Sequence, residues 1–528
     1  MCGLLSYWGQ DPALFAVLPE QLQLLRHRGP DQCQELVLKK GYLGFQRLSL
    51  MDTSLRGQQP MQSQDGCLYL VCNGEIYNFR ELRAQITYPF VSHSDSEVLL
   101  ALLQGDGLRQ TLRQIVGEFA FVCFDMQQQK CYAARDPLGI RPLFMGKTER
   151  GEILFASEAK ALHTLCVVVQ PFPPGCYFDG SQVVRYDHSV RARQQAPANM
   201  EEVLSGVRVR LERAVQSRLF ADVPLGFLLS GGLDSSLVCS IAQRASSQPI
   251  CTYAIGMQAD AIDLKYAREV ADFLQTSHTE VVVSSQQVLQ VLHQTIWHLE
   301  TWDVTTIRAS LGMFLVGEYI HHHSEIKGVL TGEVSDELFG YKYTDYAPDA
   351  EAFQQEAVKR VEQLYMYDVL RADRCLAAHS LEARVPFADI DFVRYVMQIP
   401  AHMKMNRYNM GKYLLRMAFA GGDYLPQSIL FREKAAFSDA IGHSLVDDIQ
   451  VYAARKYTPR CLQHAQRLYT HAKPYSYESL LYREIFESFY PGRAELVKGF
   501  WMPNPQWHHC DVQDPSARYL PNYGASGV

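Results

Sequence analysis

The stretch Ser230-Gly231-Gly232-Leu233-Asp234-Ser235-Ser236 sets two glycines, three hydroxyls and an acid where an apolar run gives way to a helical pattern. A glycine-rich turn between strand and helix offers backbone N–H groups and a positive dipole end to a phosphate. It holds no Lys, so it is not the GxxxxGK[ST] cradle. Downstream, Thr331-Gly332-Glu333-Val334-Ser335-Asp336-Glu337 gathers three carboxylates. Alone, such a run is an acidic surface loop. Facing a polyphosphate it needs Mg²⁺ between, because Mg²⁺ takes a carboxylate or two plus phosphate oxygens. Lys434, in Arg432-Glu433-Lys434-Ala435, is a solvated charge or the cation that the glycine-rich loop lacks.

A different chemistry stands at the amino terminus, Met1-Cys2-Gly3. A small second residue favours removal of Met1 and leaves Cys2 with a free α-amine. Such an amine, of pKa about 7.7–8.0, can serve as base for its own thiol. Asn73-Gly74 reads either as a type I′ turn or as an oxyanion hole, an Asn side chain beside a Gly N–H.

The elements around these residues fall into two halves. Residues 1–187 read as β-rich, with helices at 15–26 and 96–103 and a hairpin of 118–125 and 130–135. Residues 188–199 are polar and aperiodic, a linker. A helix at 200–219 follows, then strands at 223–229, 250–255, 279–283 and 328–330 alternating with helices at 234–246, 265–274 and 287–299. That alternation predicts an α/β doubly wound parallel sheet. Ligands gather at the carboxyl ends of such strands, so both loops face one crevice. Beyond residue 366 the chain is mostly helical.

With 528 residues the chain can bury two or three cores. A net charge of −7 excludes a general nucleic-acid or membrane-surface binder. The thirteen cysteines are scattered without a CxxC and read as reduced thiols of a cytoplasmic protein. No leader or apolar run of membrane-spanning length is evident, which predicts a soluble, unexported protein.

Taken together, MCG, RHRGPD, RLS, NGEIYN, FAF, RDPLGIRPL and SEAKAL resemble the glutaminase domain of class II amidotransferases. The resemblance implies an α+β N-terminal-nucleophile αββα sandwich. It makes Cys2 the nucleophile and Asn73 and Gly74 the oxyanion hole. Arg47 would hold the glutamine α-carboxylate, and Glu75 and Asp95 its α-amine. SGGLDSS in turn looks like the pyrophosphate loop of enzymes that split ATP to AMP and pyrophosphate. Then SGGLDSS, ETWDVTTIRAS, TGEVSDELFG, MYDVLRADR, LEARVPF and EKAAFSD follow in the order of the glutamine-hydrolysing asparagine synthetase family, with a eukaryotic-type tail.

Membership implies a glutaminase domain at 1–187 and an ATP-dependent synthetase domain at 200–528. Aspartate would be activated by MgATP as β-aspartyl-AMP, then attacked by ammonia passed internally from Cys2. ATP and pyrophosphate contacts are implied for Leu229, Ser230, Gly231, Gly232, Asp234, Ser235, Ser236, Ile255, Asp263, Gly332, Asp336 and Lys434. Mg²⁺ is implied at Asp234 and Asp336. Thr305, Thr306 and Arg308 fall at the domain interface and adenylation site, and Glu333 is the candidate general base. A homodimer is compatible with the resemblance.

Val334, Tyr341 and Ala435 depart from the family strings and put the acceptor in question, so a related amidotransferase acting on another carboxylate is the alternative. A catalytically silent paralogue is disfavoured by the intact nucleophile and phosphate loop. A β-branched Val334 predicts an ordinary negative φ, its isopropyl group filling space that Gly leaves open.

Overall fold

The computed structural model describes residues 1–191, 199–258, 262–406, 408–433 and 443–522. In the amino-terminal strands both phases of the period-two pattern are apolar, so both faces of each sheet must be covered. Along Gly117–Asp125, Ala120, Val122 and Phe124 face one core while Phe119, Phe121 and Cys123 face another. Two six-stranded antiparallel sheets result. The first runs Val168–Pro171, Phe144–Lys147, Ile153–Ala156, Gly3–Trp8, Gly41–Arg47 and Gln32–Leu38. The second runs Val183–Arg185, Cys176–Phe178, Lys130–Arg135, Gly117–Asp125, Leu68–Ile76 and Met61–Gln62.

Leu4, Phe45, Val122 and Phe155 meet between the sheets. Leu5, Tyr7, Leu18 and Leu22 seat the helix Pro12–Gln23 on the outer face of the first. Leu70, Cys72, Val98 and Leu99 seat Glu97–Gly105 on the second. The αββα expectation holds. The first helix begins earlier than its apolar pattern, because Asp11 caps it by accepting from Ala13 N at 3.0 Å and Pro12 suits its first turn.

The carboxy-terminal half is built on a parallel sheet ordered Ser277–Val283, Cys251–Met257, Leu225–Leu228, Gly328–Leu330 and Glu382–Arg384. Successive strands add to one side of Leu225–Leu228 and then to the other. The winding therefore reverses at its carboxyl end, where such folds open a crevice. Elements without a counterpart in the sequence reading include the largely buried helix Val304–His323, the helix Ala350–Gln363 and the edge strand Glu382–Arg384. In the expected linker, Ser189–Arg191 form a short 3₁₀ turn, and residues 192–198 lie outside the described set.

Candidate active sites

At the end of the first sheet, the strand Gly3–Trp8 brings Cys2 against the strand Leu68–Ile76. The Cys2 backbone N donates to Asn73 Oδ1 at 2.9 Å, and the thiol accepts from Leu48 N at 3.4 Å. Asn73 is fully buried, and its Nδ2 makes no hydrogen bond among the described residues. The amide oxygen thus orients the Cys2 nitrogen while the amide NH₂ remains an unused donor, as an oxyanion hole requires. Asn73-Gly74 is not a hairpin turn, since the strand runs through to Ile76. Gly74 has φ 143°, and a Cβ there would lie 2.0 Å from Glu118 O. Only glycine fits.

The Arg47 guanidinium donates to Gln32 Oε1 and Ser54 O, both at 3.0 Å, and to the Met51 and Asp52 carbonyls. It therefore holds the loop after its own strand. Glu75 and Asp95 form a buried acid pair. Burial and the Asp95 charge push the Glu75 carboxyl well up, and burial raises Asp95 to about 6 although it accepts from Ile76 N at 2.7 Å. Two buried carboxylates of this kind favour an incoming cation. Burial also raises the Cys2 thiol.

The second site is a cavity of about 210 Å³ at the winding reversal. It is lined by Leu229, Ser230, Gly232, Asp234, Ser235, Ile255, Asp263, Thr305, Thr306, Arg308, Gly332, Glu333 and Asp336, all expected from the sequence. Gly231 and Ser236 shape the loop from behind. Gly231 has φ 69°, and a Cβ there would lie 2.5 Å from Ala267 N. Ser230 Oγ takes the Gly232 N–H at 3.3 Å and meets Ser235 Oγ at 3.0 Å, a tight hydroxyl-lined turn at the start of Leu233–Ala245. A Cβ on Gly332 would lie 2.7 Å from Ser235 N, so glycine lets the acidic loop touch the phosphate loop.

Lys412 joins the two loops, and the sequence reading passed over it. Its Nζ lies 2.8 Å from both Asp234 oxygens, 2.9 Å from Ser335 Oγ and 2.5 Å from Asp336 Oδ1. Arg432 donates to Gly231 O at 3.2 Å and to Asp263 Oδ1 at 3.0 Å, a second cation at the phosphate loop. Lys434 and Ala435 lie outside the described residues. Glu333 Oε1 stands 3.5 Å from Arg371 Nη2, while Glu333 Oε2 is buried without a hydrogen bond among the described residues.

Two expectations are corrected. Val334 has φ 81° and ψ −19°, in the left-handed region, with only 2% of its surface exposed. The close approach of Gly332 to Ser235 and the abrupt start of the helix Ser335–Phe339 hold it there. Thr305, Thr306 and Arg308 line the synthetase cavity as expected, but among the described residues their side-chain bonds do not reach the glutaminase half: Thr306 bonds Asp303 at 2.8 Å, while Thr305 and Arg308 reach the carboxy-terminal segment. Arg308 is clamped by Glu478 and Asp514 at 2.6–2.9 Å, and Thr305 Oγ1 reaches Trp501 O at 3.5 Å.

The junction of the halves is instead a buried ionic net. Arg28 Nε donates to Cys2 O at 2.8 Å, and its fork binds Glu158 and Asp373 at 2.7–3.1 Å. Arg374 joins Glu158 at 2.8 Å to Glu300 at 2.9 Å. Burial alone would raise the Glu158 carboxyl, but Arg374, Lys160 and His27 hold it well below its usual range. Such a net fixes how the halves dock more than it adds stability.

Residues 1–213 match the family model described as "Glutamine amidotransferase domain", and residues 206–350 and 342–510 match "Asparagine synthase". The chain is 38% identical over 564 residues to an asparagine synthetase [glutamine-hydrolyzing] from Gallus gallus, with 99% of each covered. It is 37% identical to the Homo sapiens protein of the same name over equal coverage.

Proposed function

The chain belongs to the glutamine-hydrolysing asparagine synthetase family, and from that premise we propose how its own residues divide the work. It is a ligase with a glutamine amidotransferase half and an ATP-using asparagine synthase half. We set the boundary between residues 187 and 200.

In the first half, removal of Met1 turns the Cys2 nitrogen into an amine already held by Asn73 Oδ1. That amine takes the thiol proton, and the thiolate attacks the glutamine amide carbon. Asn73 Nδ2 and the Gly74 N–H bind the developing oxyanion. Ammonia departs with the proton returned by the amine, and water then frees glutamate. Glu75 and Asp95 hold the substrate ammonium and Arg47 its carboxylate.

In the second half, an aspartate β-carboxylate oxygen attacks the α-phosphorus of ATP and pyrophosphate leaves. The hydroxyls of Ser230 and Ser235, with Lys412 and Lys434, bind the departing pyrophosphate, and Ser236 supports the loop from behind. Asp234 and Asp336 fit Mg²⁺, because both already converge on one cationic point at Lys412 Nζ. Mg²⁺ takes a carboxylate or two and would complete its shell with phosphate oxygens. Bound there, Mg²⁺ would neutralise the charge of the triphosphate. Ammonia then attacks the acyl carbon, AMP leaves, and Glu333 accepts the surplus proton through its unpaired oxygen.

The observation that carries this reading is that Arg28 ties the Cys2 carbonyl to Asp373 of the other half, so both candidate sites belong to one buried assembly. Transfer inside the protein would keep ammonia unprotonated and spare the adenylate from water. Cytoplasmic residence is supported by thirteen free cysteines. Incubation with ATP, Mg²⁺, aspartate and glutamine should give asparagine, glutamate, AMP and pyrophosphate in equal amounts. Stoichiometric ADP, or amidation of another carboxylate in place of aspartate, would overturn the assignment.

A further inference from the structure

Glu75 lies on a strand of the glutaminase half, yet the cation nearest it in its surroundings comes from the other half. Arg384, at the end of the synthetase edge strand Glu382–Arg384, is fully buried. Its Nη2 stands 3.4 Å from Glu75 Oε1 and its Nε 3.1 Å from Glu382 Oε1. Its Nη1 donates to the carbonyls of Arg218 at 2.8 Å and Phe220 at 2.7 Å, so the fork cannot swing. Its backbone is pinned as well. Arg384 pairs with Leu330 in the parallel sheet, and its carbonyl accepts from Thr331 N at 3.0 Å, where the acidic loop begins.

We propose that Arg384 is a positioning residue of the glutamine site, supplied across the domain junction to favour the ionised form of Glu75 and aim it at the substrate ammonium. The inference rests on the reading of Glu75 as an ammonium-binding acid. The groups facing Glu75 are Asp95, Glu382, Arg384 and Arg141. Burial and the two acids favour its neutral form, and a neutral carboxyl is a poor partner for an ammonium. Arg384 is the leading opposing influence, with Arg141 behind it. Arg141 is itself shared with Glu118 at 3.1 Å, Glu382 at 3.5 Å and the Ala383 carbonyl at 2.7 Å. Glutamine affinity therefore depends on the docked synthetase half and not on the glutaminase sandwich alone.

The test uses the full-length enzyme, with glutaminase kinetics and ammonium-dependent asparagine synthesis measured on each variant. Arg384→Gln keeps a donor for the two carbonyls but removes the charge. It should raise the glutamine KM about tenfold for each pKa unit by which Glu75 rises, with kcat changed little. A lost hydrogen bond alone would be made good by Gln, so a rise in KM with Gln that Lys reverses reads the charge. Arg384→Lys, which keeps the charge, should restore most of the affinity, and retained ammonium-dependent synthesis shows that the fold is intact.

An unchanged KM in Arg384→Gln, or a raised KM that Arg384→Lys does not restore, overturns the proposal. If the Gln variant does not fold, Arg384→Lys decides alone: a near-wild-type KM supports the charge role, and a large rise refutes it. Glu75→Gln separates the two readings. Should it leave KM unchanged, Glu75 does not bind the ammonium. Should it raise KM while Arg384→Gln does not, only the role of Arg384 fails.

Discussion

Replacing Val334 by Ala and by Gly tests the backbone of the synthetase site. An L-residue in the left-handed region costs about 1–2 kcal/mol, and a β-branched one is an outlier there. Val334 carries that cost at φ 81° while its isopropyl group shares a buried cluster with Leu330, Leu338 and Phe339. Val334→Ala removes two buried methyl groups, roughly 1.5 kcal/mol at about 0.8 each. Going on to Gly removes about 0.8 more and adds about 0.5–1 of chain entropy, but it relieves the 1–2 of left-handed strain. The Gly variant should thus match the Ala variant to within about 1 kcal/mol. At an ordinary φ, Gly would instead be less stable than Ala by roughly 1.3–1.8 kcal/mol. Urea unfolding of the ligand-free proteins, compared by midpoint at equal slope, decides between them. A Gly variant that falls below Ala by the larger amount refutes the strained loop.

Cys2→Ala should abolish glutamine-dependent synthesis and leave ammonium-dependent synthesis intact; equal loss of both would make Cys2 structural. Asn73→Ala should lower glutaminase kcat by about 10²–10³, the usual effect of removing one oxyanion donor, and an unchanged kcat would exclude that role. Lys412→Met should suppress aspartate-dependent exchange of pyrophosphate into ATP while glutamine hydrolysis continues; undiminished exchange would count against it. Glutamine KM should rise as pH falls through about 6, because Asp95, raised to that value by burial, must be ionised to hold the ammonium. A KM flat across that window would remove Asp95 from the site.

What could be read from the sequence was the chemistry that lies in contiguous loops. SGGLDSS and TGEVSDE each follow an apolar strand, and a doubly wound sheet brings such loops together whatever the remaining packing. Lys412 escaped because it reaches Asp234 from 178 residues away, and its own segment carries no signal beyond a Gly-Lys pair. Arg384 was visible only as part of LEARVPF. Its role appears once the edge strand is laid against the glutaminase sandwich. Asn73-Gly74 left two readings open, since a positive-φ glycine serves a turn and a crowded strand equally; the closeness of Glu118 O decides it. For Val334 intrinsic preference pointed the wrong way, because contact between the two loops overrides it.

The central claim is that both sites work as one, with ammonia passing between them inside the protein. Amide-¹⁵N glutamine, ATP, Mg²⁺ and aspartate, incubated with an excess of unlabelled ammonium at a pH where both donors are used, test it directly. The asparagine should carry far more ¹⁵N than the bulk ammonium pool, because ammonia released at Cys2 is used before it can mix. Asparagine carrying the isotopic ratio of the bulk ammonium would contradict the account.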